Sequence, residues 1–356
     1  MTKLEKLRAA MKDIGVDAVV VLDELNQHYL SDFAFTDGLL FITHNEAHLL
    51  TDFRYYEMAL NSANPEFKIT MDSDRQTYIT KVISDNSVKF LGFEGGFASY
   101  NTYVSYCEKY PMCTLVDIGN AIEVIRQLKT QDEIDKMQRA QDIADAAFSH
   151  LMKMITPNMT ELDVTVELEY AMRKGGADGI AFDTIAVSGD ASSLPHGTPR
   201  NVKLKPGFLT LDYGAKCGGY CSDMTRTVVI GRADADMKKL YNTVLEAQLA
   251  AIDFLKAGVD AGEADKVARD IIYSHPEYDG AFGHSLGHSV GLFIHEAPSL
   301  SFRSFGRKLR TGEILTVEPG IYLFGKYGCR IEDMVKIEDD GVYNFTHSTK
   351  ELIEIL

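Results

Sequence analysis

Two acidic residues flank a glycine-rich turn in the segment LTLDYGAKCGGYCSDMTRTVVI. Asp212 and Asp223 lie equally far from Cys217-Gly218, and the alternation of residues around them predicts a β-hairpin. Directly opposed residues of an antiparallel pair have Cβ atoms about 5 Å apart, and like charges there destabilise the pair. Because a cation would neutralise both carboxylates, the spacing predicts a metal ion near the two aspartates.

A second acidic pair repeats the arrangement in TVEPGIYLFGKYGCRIEDMVKI, where Glu318 and Glu332 flank Gly325. The chain between the two pairs supplies further candidate ligands, the histidines His284, His288 and His295. Carboxylates combined with an imidazole suit Mn²⁺, Co²⁺, Fe²⁺ or Zn²⁺. Two such ions, held about 3.5 to 4 Å apart, lower the pKa of a shared water and polarise a substrate carbonyl. The pattern therefore predicts a two-metal hydrolytic centre with a metal-bridging hydroxide as nucleophile.

Two other catalytic motifs match only in part. Residues 287–291, GHSVG, have the spacing of a nucleophile elbow, with Ser289 as the nucleophile of a serine hydrolase. An elbow requires an apolar strand before the serine and a helix after it, whereas a glycine-rich stretch precedes Ser289 and a proline follows it. His295-Glu296 begins the zinc signature H-E-x-x-H, but Ser299 takes the place of the second histidine. The serine hydrolase is therefore the lesser alternative.

The bulk composition limits the classes of function. The chain has 356 residues, 45% apolar and 25% charged, which is typical of globular proteins and long enough for two domains. A formal charge of −16 and a pI near 5.1 would repel nucleic acid. We find no signal-peptide pattern and no apolar run near the roughly 18 residues of a membrane span. Five scattered cysteines indicate free thiols. We expect a cytoplasmic protein that binds neither nucleic acid nor membrane.

Helical and strand-like patterns alternate along the chain. Leu4, Leu7 and Met11 recur at helical spacing before Gly15, and the apolar run 18–22 then predicts a buried strand. Similar alternation continues to about residue 120 and predicts an α/β domain over residues 1–125.

A capping box opens the rest of the chain. Thr130 and Glu133 have the spacing of this motif and precede a long amphipathic pattern. Further helices are predicted from Thr160, over 240–255 and over 265–274, with strands between them. We therefore predict a second domain over residues 126–356.

These motifs resemble those of the pita-bread metallopeptidases, which include methionine aminopeptidase, aminopeptidase P and prolidase. The segments LDYGAKCGGYCSDMTRT, FGHSLGHSVGLFIHEAP, LTVEPGIY and CRIEDMV look like that family's successive metal and substrate motifs. By this resemblance Asp212 would hold one ion, Asp223 and Glu332 would bridge two ions, and His288 with Glu318 would complete the other coordination sphere.

The resemblance covers the whole chain and points to the proline-specific branch, because TDGLLFITHNEAHLLTDFRYYEMA and LPHGTPRNVKLKPG look like its N-terminal domain and first substrate loop. It implies an α/β (α+β) fold class, with a small creatinase-like domain before a catalytic pita-bread domain. It also implies a homodimer with two divalent ions, first of all Mn²⁺. The implied reaction is hydrolysis of the Xaa-Pro bond in dipeptides or at the N-terminus of short peptides. Ser285 and Ser289 depart from the pattern, in which glycine is commoner.

Individual roles follow by position. His196 would lie near the leaving nitrogen, His295 near the carbonyl oxygen and His284 beside the proline pocket, and imidazoles suit proton transfer and oxyanion stabilisation. Glu318 would also shuttle protons. Arg330, two residues before a predicted metal ligand and so on the same strand face, is expected to bind substrate and to orient carboxylates.

Alternatives remain beside this interpretation. One is a metal-free relative of the same fold, either a creatinase-like hydrolase or a peptide-binding module, and the other is the serine hydrolase that uses Ser289. The choice between dipeptidase and aminopeptidase is also open. Arg303, Arg307 and Arg310 are candidates for reading a substrate carboxylate, although solvated surface charge accounts for them better.

Overall fold

The computed structural model describes residues 1–71 and 74–356. The chain folds into two compact units, Met1–Arg126 and Gln127–Leu356, each with its own buried core. Within the described ranges, no helix combines the length and apolar character that a membrane crossing needs.

The first unit is a mixed sheet with helices, which confirms the predicted α/β pattern. Its strands are β1 (Ala18–Val21), β2 (Gly38–Thr43), β3 (Ala47–Thr51), β4 (Phe67–Met71), β5 (Phe90–Phe93) and β6 (Thr114–Asp117). Its helices are α1 (Lys3–Ile14), α2 (Glu24–Ser31), α3 (Phe53–Ser62), α4 (Arg75–Asp85), α5 (Tyr100–Lys109) and α6 (Ala121–Arg126). The strand order is β4-β3-β2-β1-β5-β6, in which β1–β2 and β2–β3 are antiparallel and the other pairs parallel.

A buried carboxylate holds the start of α2 in this unit. Glu94 is 3% exposed, and its Oε2 accepts hydrogen bonds from the backbone N–H groups of Leu22 (2.6 Å) and Asp23 (3.0 Å). Its Oε1 accepts a third from Asn26 Nδ2 at 2.7 Å. Burial nevertheless outweighs these donors and raises the pKa of Glu94 from 4.5 to about 6.

This shift predicts a pH dependence of stability. Because the folded protein binds the Glu94 proton more tightly than the unfolded chain, the unfolding free energy should fall by about 1 kcal/mol as pH rises from about 4.5 to 6, out of about 2 kcal/mol over the whole titration. Glu94→Gln should remove this part of the pH dependence. Urea unfolding followed by circular dichroism at both pH values measures it, since the chain has no tryptophan. Glu24→Gln, at the exposed first position of α2, is the control. A pH slope shared by all three proteins would contradict the prediction.

The second unit contains four α-helices: α7 (Gln131–Met154), α8 (Glu161–Lys174), α9 (Ala235–Phe254) and α10 (Ala261–Tyr273). The first strands are β7 (Gly179–Ile180), β8 (Ile185–Ser188), β9 (Gly207–Tyr213), β10 (Ala215–Cys217), β11 (Tyr220–Cys221) and β12 (Met224–Ile230). The later strands are β13 (Gly287–Ser289), β14 (Glu296–Leu300), β15 (Ile314–Val317), β16 (Gly320–Leu323), β17 (Tyr327–Arg330), β18 (Asp333–Ile337), β19 (Val342–Asn344) and β20 (Glu354–Ile355). They form sheets of order β20-β12-β9-β8, β11-β10-β7, β14-β13-β15-β18-β19 and β16-β17.

The helix starts follow their caps. The predicted capping box of Thr130 and Glu133 opens α7, and Thr160 caps α8. Helices α9 and α10 begin several residues before the predicted starts. Asp234 and Asp260 accept hydrogen bonds from the first-turn N–H groups of these helices, and such an N-cap fixes the start of a helix more firmly than its apolar periodicity does.

Strand alternation separates the core from the site. On β9, Leu209, Leu211 and Tyr213 pack into the apolar core that contains residues of α7 and α8. The intervening Thr210 and Asp212 project from the opposite face, because successive strand side chains alternate. On β15, Leu315 and Val317 join the core with α9 and α10, and Thr316 and Glu318 project from the other face. Each hairpin thus presents its acidic residues away from a helix-covered core.

The registers of the two hairpins differ in one respect from the prediction. Asp212 pairs with Thr225 and not with Asp223, so the expected direct opposition of the two aspartates is wrong. The turn lies at Gly218 and Gly219, both with positive φ (56° and 81°), as a tight two-residue connection requires. Asp223 is consequently the diagonal neighbour of Asp212 on the same face.

The second hairpin has the predicted register. Val317 pairs with Asp333 and Gly320 with Arg330, so both ladders share one register in which Glu318 faces Glu332. Neither acid belongs to a strand, because Glu318 lies between β15 and β16 and Glu332 lies between β17 and β18. The ladder of hydrogen bonds is therefore interrupted at these two residues.

Candidate metal centre

One cavity of about 530 Å³ in the second unit receives the acidic residues of both hairpins. The predicted metal ligands all line it: Asp212, Asp223, His288, Glu318 and Glu332. The other predicted site residues line it as well: His196, His284, His295 and Arg330. The structure therefore brings together side chains that are up to 136 residues apart in the chain.

Three of the predicted ligands offer atoms to a common point. Ligand atoms of Asp223, His288 and Glu332 lie within 4.8 Å of one another. His288 Nε2 lies 3.5 Å from Asp223 Oδ2 and 3.4 Å from Glu318 Oε1. The imidazole therefore faces carboxylates from both hairpins, as a ligand between them must.

Burial disfavours the ionised form of the carboxylates. It raises the pKa of Glu318 to about 8, and it raises the pKa values of Asp223 and Glu332 well above their usual range, with neighbouring carboxylates adding to the effect. Burial lowers the pKa of His288 to about 4, which keeps the imidazole neutral and able to bind a metal. Positive charge from a bound ion would reverse the shifts of the carboxylates.

The fit of the site to a divalent ion is supported by an unsatisfied oxygen. Asp212 Oδ2 accepts a hydrogen bond from Arg330 Nη2 at 2.5 Å, whereas Oδ1 is buried and no described donor reaches it. A buried carboxylate oxygen without a partner is costly unless a ligand binds it. Four carboxylates and one imidazole form a donor set that suits Mn²⁺ and its neighbours.

Two threonines, which sequence reasoning missed, orient the carboxylates by donating hydrogen bonds to them. Thr225 is fully buried, and its Oγ1 donates to Glu332 Oε2 at 2.6 Å while accepting from Arg330 Nε at 3.0 Å. Thr316 Oγ1 donates to Glu318 Oε1 at 3.1 Å and accepts from the N–H of His288 at 3.0 Å. Each threonine lies two residues from a predicted metal ligand, Thr225 on β12 from Asp223 and Thr316 on β15 from Glu318. Residues two apart share a strand face, so this spacing is the sequence signal that would have found them.

A tyrosine that the sequence analysis also missed links the predicted substrate residues. The Tyr322 hydroxyl lies 2.5 Å from Arg330 Nη1 and 3.1 Å from His284 Nε2. It shares the strand face of Glu318. A Cβ on Gly320 would lie 2.6 Å from this hydroxyl, so the glycine leaves room for the phenol. Since Arg330 also contacts Asp212 and Thr225, its donors are directed mainly at the protein.

The three predicted catalytic histidines differ in their surroundings. Burial lowers the pKa of His284 to about 3, and this ring lies deep in the cavity wall. His295 is exposed, with its ring centroid 4.5 Å from that of His288. His196 is also exposed, on a loop anchored where Arg200 Nη2 donates to the buried Glu161 at 2.7 Å. Deep and outer positions suit contacts with different parts of a substrate.

The residues behind the alternative interpretations lie elsewhere. Ser289 is fully buried and is not among the residues that line the cavity, which does not suit a nucleophile. Arg307 and Arg310 both bind the buried Glu313, and Arg303 stacks over Phe302. None of the three arginines lines the cavity as the structure describes it.

Comparison with known proteins agrees with this architecture. Residues 135–339 match the model of metallopeptidase family M24, and residues 3–128 match the creatinase/prolidase N-terminal domain. An uncharacterized peptidase of Bacillus subtilis is 39% identical over 352 residues, which are 99% of each chain. Among solved structures, an Xaa-Pro dipeptidase from Bacillus anthracis superimposes with a TM-score of 0.94 at 40% identity, over 99% of each chain. An X-Pro aminopeptidase from Thermotoga maritima gives 0.91 at 34% identity, over 100% of each chain.

These matches cover both units, and the class they define is a peptidase with a creatinase-type N-terminal domain and a pita-bread domain. The chain belongs to metallopeptidase family M24. Peptidases of this family depend on divalent metal ions, which accords with the donor set of the cavity.

The hydrogen bond from Thr225 to Glu332 should matter for metal binding. Thr225→Val keeps the shape but removes the donor, and it should lower Mn²⁺ affinity by about 10- to 100-fold, because partners of metal ligands contribute on this scale. Calorimetric titration of the metal-free protein measures the affinity. Thr210→Val is the matched control, since Thr210 lies on the neighbouring strand and no described group pairs with its hydroxyl. Equal losses in both variants would contradict the assigned role of Thr225.

Proposed function

We propose that the protein hydrolyses the Xaa-Pro bond in dipeptides or at the N-terminus of short peptides, using two divalent metal ions. Mn²⁺ is the foremost candidate, with Co²⁺, Zn²⁺ or Fe²⁺ as alternatives. The observation that carries the proposal is the convergence of four carboxylates and one imidazole in a cavity that three further histidines line. Similarity to proteins named Xaa-Pro dipeptidase and X-Pro aminopeptidase supports the substrate class. A cytoplasmic location and a homodimer belong to the same proposal.

We assign the metal-binding residues the roles that the family resemblance implies. Asp212 would hold one ion, Asp223 and Glu332 would bridge both, and His288 with Glu318 would complete the other sphere. When bound, the ions would supply an activated water and polarise the scissile carbonyl. Arg330 and Thr225 would keep the carboxylate oxygens aimed at the ions, because each contacts one of these acids directly.

The other cavity residues would bind and orient the peptide. His295 lies beside His288, where it would contact the carbonyl oxygen of the scissile bond. His196, at the exposed side, would lie near the leaving nitrogen, and His284 would face the proline ring. Glu318, held by Thr316, would move the proton to that nitrogen. An Xaa-Pro bond has no N–H, so a site that grips the peptide through metal ions does not lose a donor contact.

Chelation and substitution distinguish the metal-dependent mechanism from the serine hydrolase mechanism that uses Ser289. Removal of metal with a chelator should abolish Xaa-Pro hydrolysis, and Mn²⁺ should restore it. Glu332→Gln should lose both metal content and turnover, because it removes a bridging carboxylate. Ser289→Ala should keep its metal and most of its turnover, whereas loss of a nucleophile costs several orders of magnitude. Activity that survives chelation and disappears in Ser289→Ala would establish the serine hydrolase instead.

The charges that line the cavity bear on the length of the substrate. Among the described residues that line the cavity, Arg330 is the only arginine or lysine, and its donors already contact protein groups. A dipeptide carboxylate therefore gains no ion pair there. We expect Ala-Pro-Ala and Ala-Pro-amide to be cleaved with kcat/KM values at least equal to that of Ala-Pro. A clear preference for Ala-Pro over its amide would contradict this and indicate a cation that reads the carboxylate.

A further inference from the structure

A buried lysine contacts the turn that carries His295. Lys129 directly precedes the N-cap of α7, and its side chain is 1% exposed. Its Nζ lies 3.3 Å from Glu296 Oε2 and 3.3 Å from Ser289 Oγ. A buried ammonium group is stable only when it is paired, so this lysine fixes the carboxylate with which it pairs. Lys129 belongs to none of the metal motifs and does not line the cavity.

The segment that it contacts is the 290–296 turn, which joins β13 to β14. Glu296 Oε1 accepts a hydrogen bond from the N–H of Phe293 at 3.1 Å, across the turn. A Cβ on Gly291 would lie 2.5 Å from the Glu296 carboxylate, which therefore occupies the space inside the turn. The carboxylate and the lysine that pairs with it thus help to fix the shape of the turn, together with the hydrogen bond from the N–H of Cys221 to the carbonyl of Gly291 at 2.8 Å.

The turn presents two side chains to the cavity. Ile294 and His295 line it, and the His295 ring lies against that of His288. Leu292 and Ile294 are buried, whereas Phe293, at the outer side, is 48% exposed, so packing holds only part of the turn. The polar contacts of Glu296 are consequently a main restraint on the position of His295.

We propose that Lys129 is a positioning residue that holds the 290–296 turn through Glu296 and thereby fixes His295 against the metal centre. Ser289, which stands where glycine is commoner in similar motifs, gives the ammonium group a second acceptor. The role of His295 in turnover rests on the proposed function. The anchoring of the turn does not, since it follows from the contacts of Lys129 alone.

Lys129→Met tests the proposal in two ways. In the metal-loaded enzyme, kcat for Xaa-Pro hydrolysis should fall by about 10- to 100-fold, because small displacements of a catalytic group are costly, while KM and metal content stay nearly constant. Metal binding should persist because the N–H of His288 is held separately by Thr316. In the metal-free protein, chymotrypsin should cut after Phe293 faster than in the unmodified chain, because the turn opens more often.

The double variant Lys129→Met/Glu296→Gln distinguishes positioning from stability. It should regain much of the thermal stability lost in Lys129→Met, because the carboxylate that pairs with Lys129 is removed together with it, but its kcat should stay low. Lys266→Met, which removes an exposed lysine from a pair with Asp270, should change neither kcat nor cleavage. An unchanged cleavage rate in Lys129→Met would overturn the anchoring, whatever substrate the enzyme proves to use. Recovery of kcat together with stability in the double variant would reduce Lys129 to a structural role.

Discussion

Repulsion among buried carboxylates is the constraint on which the catalytic unit depends. Asp212, Asp223, Glu318 and Glu332 share one cavity, and Arg330 is the only permanent cation that lines it among the described residues. One guanidinium cannot balance four ionised acids, and burial, together with the neighbouring carboxylates, raises the pKa values of three of them. Divalent ions would complete the balance. The hairpins, the arginine and the neutral imidazole all serve to hold this charge in a fixed geometry.

The same unit anchors its site from outside the cavity with paired charges. Each pair lies behind a segment that carries a site residue: Arg226–Asp333, Arg269–Asp265, Arg200–Glu161 and Lys129–Glu296. Arg226 also donates to the carbonyl of Glu332 at 2.6 Å, and Asp265 accepts from the N–H of Leu286 at 2.9 Å. Ion pairs with a buried carboxylate contribute little net stability, so we infer that these pairs serve to hold the backbone segments in one arrangement.

Local patterns in the sequence accounted for much of the fold. The capping box of Thr130 and the left-handed Gly15 fixed helix ends where the pattern placed them. The acidic hairpin around Gly325 has the expected register, whereas the hairpin of Asp212 is shifted by two residues. The symmetry of the acids about Cys217-Gly218 suggested direct opposition. Two consecutive glycines with positive φ set the turn one position further along, and turn geometry determines register.

By itself, the sequence determined the types and spacing of the acidic and imidazole groups, because period-two alternation puts residues such as Glu318 and Tyr322 on one strand face. The tertiary structure alone decided which groups meet. Thr225 contacts Glu332 across 107 residues and Lys129 contacts Glu296 across 167, and no local pattern encodes contacts of that range. Such pairings arise when separate hairpins and loops pack around a common core. The chemistry of the site is therefore encoded locally, whereas its orientation depends on the packing of the whole unit.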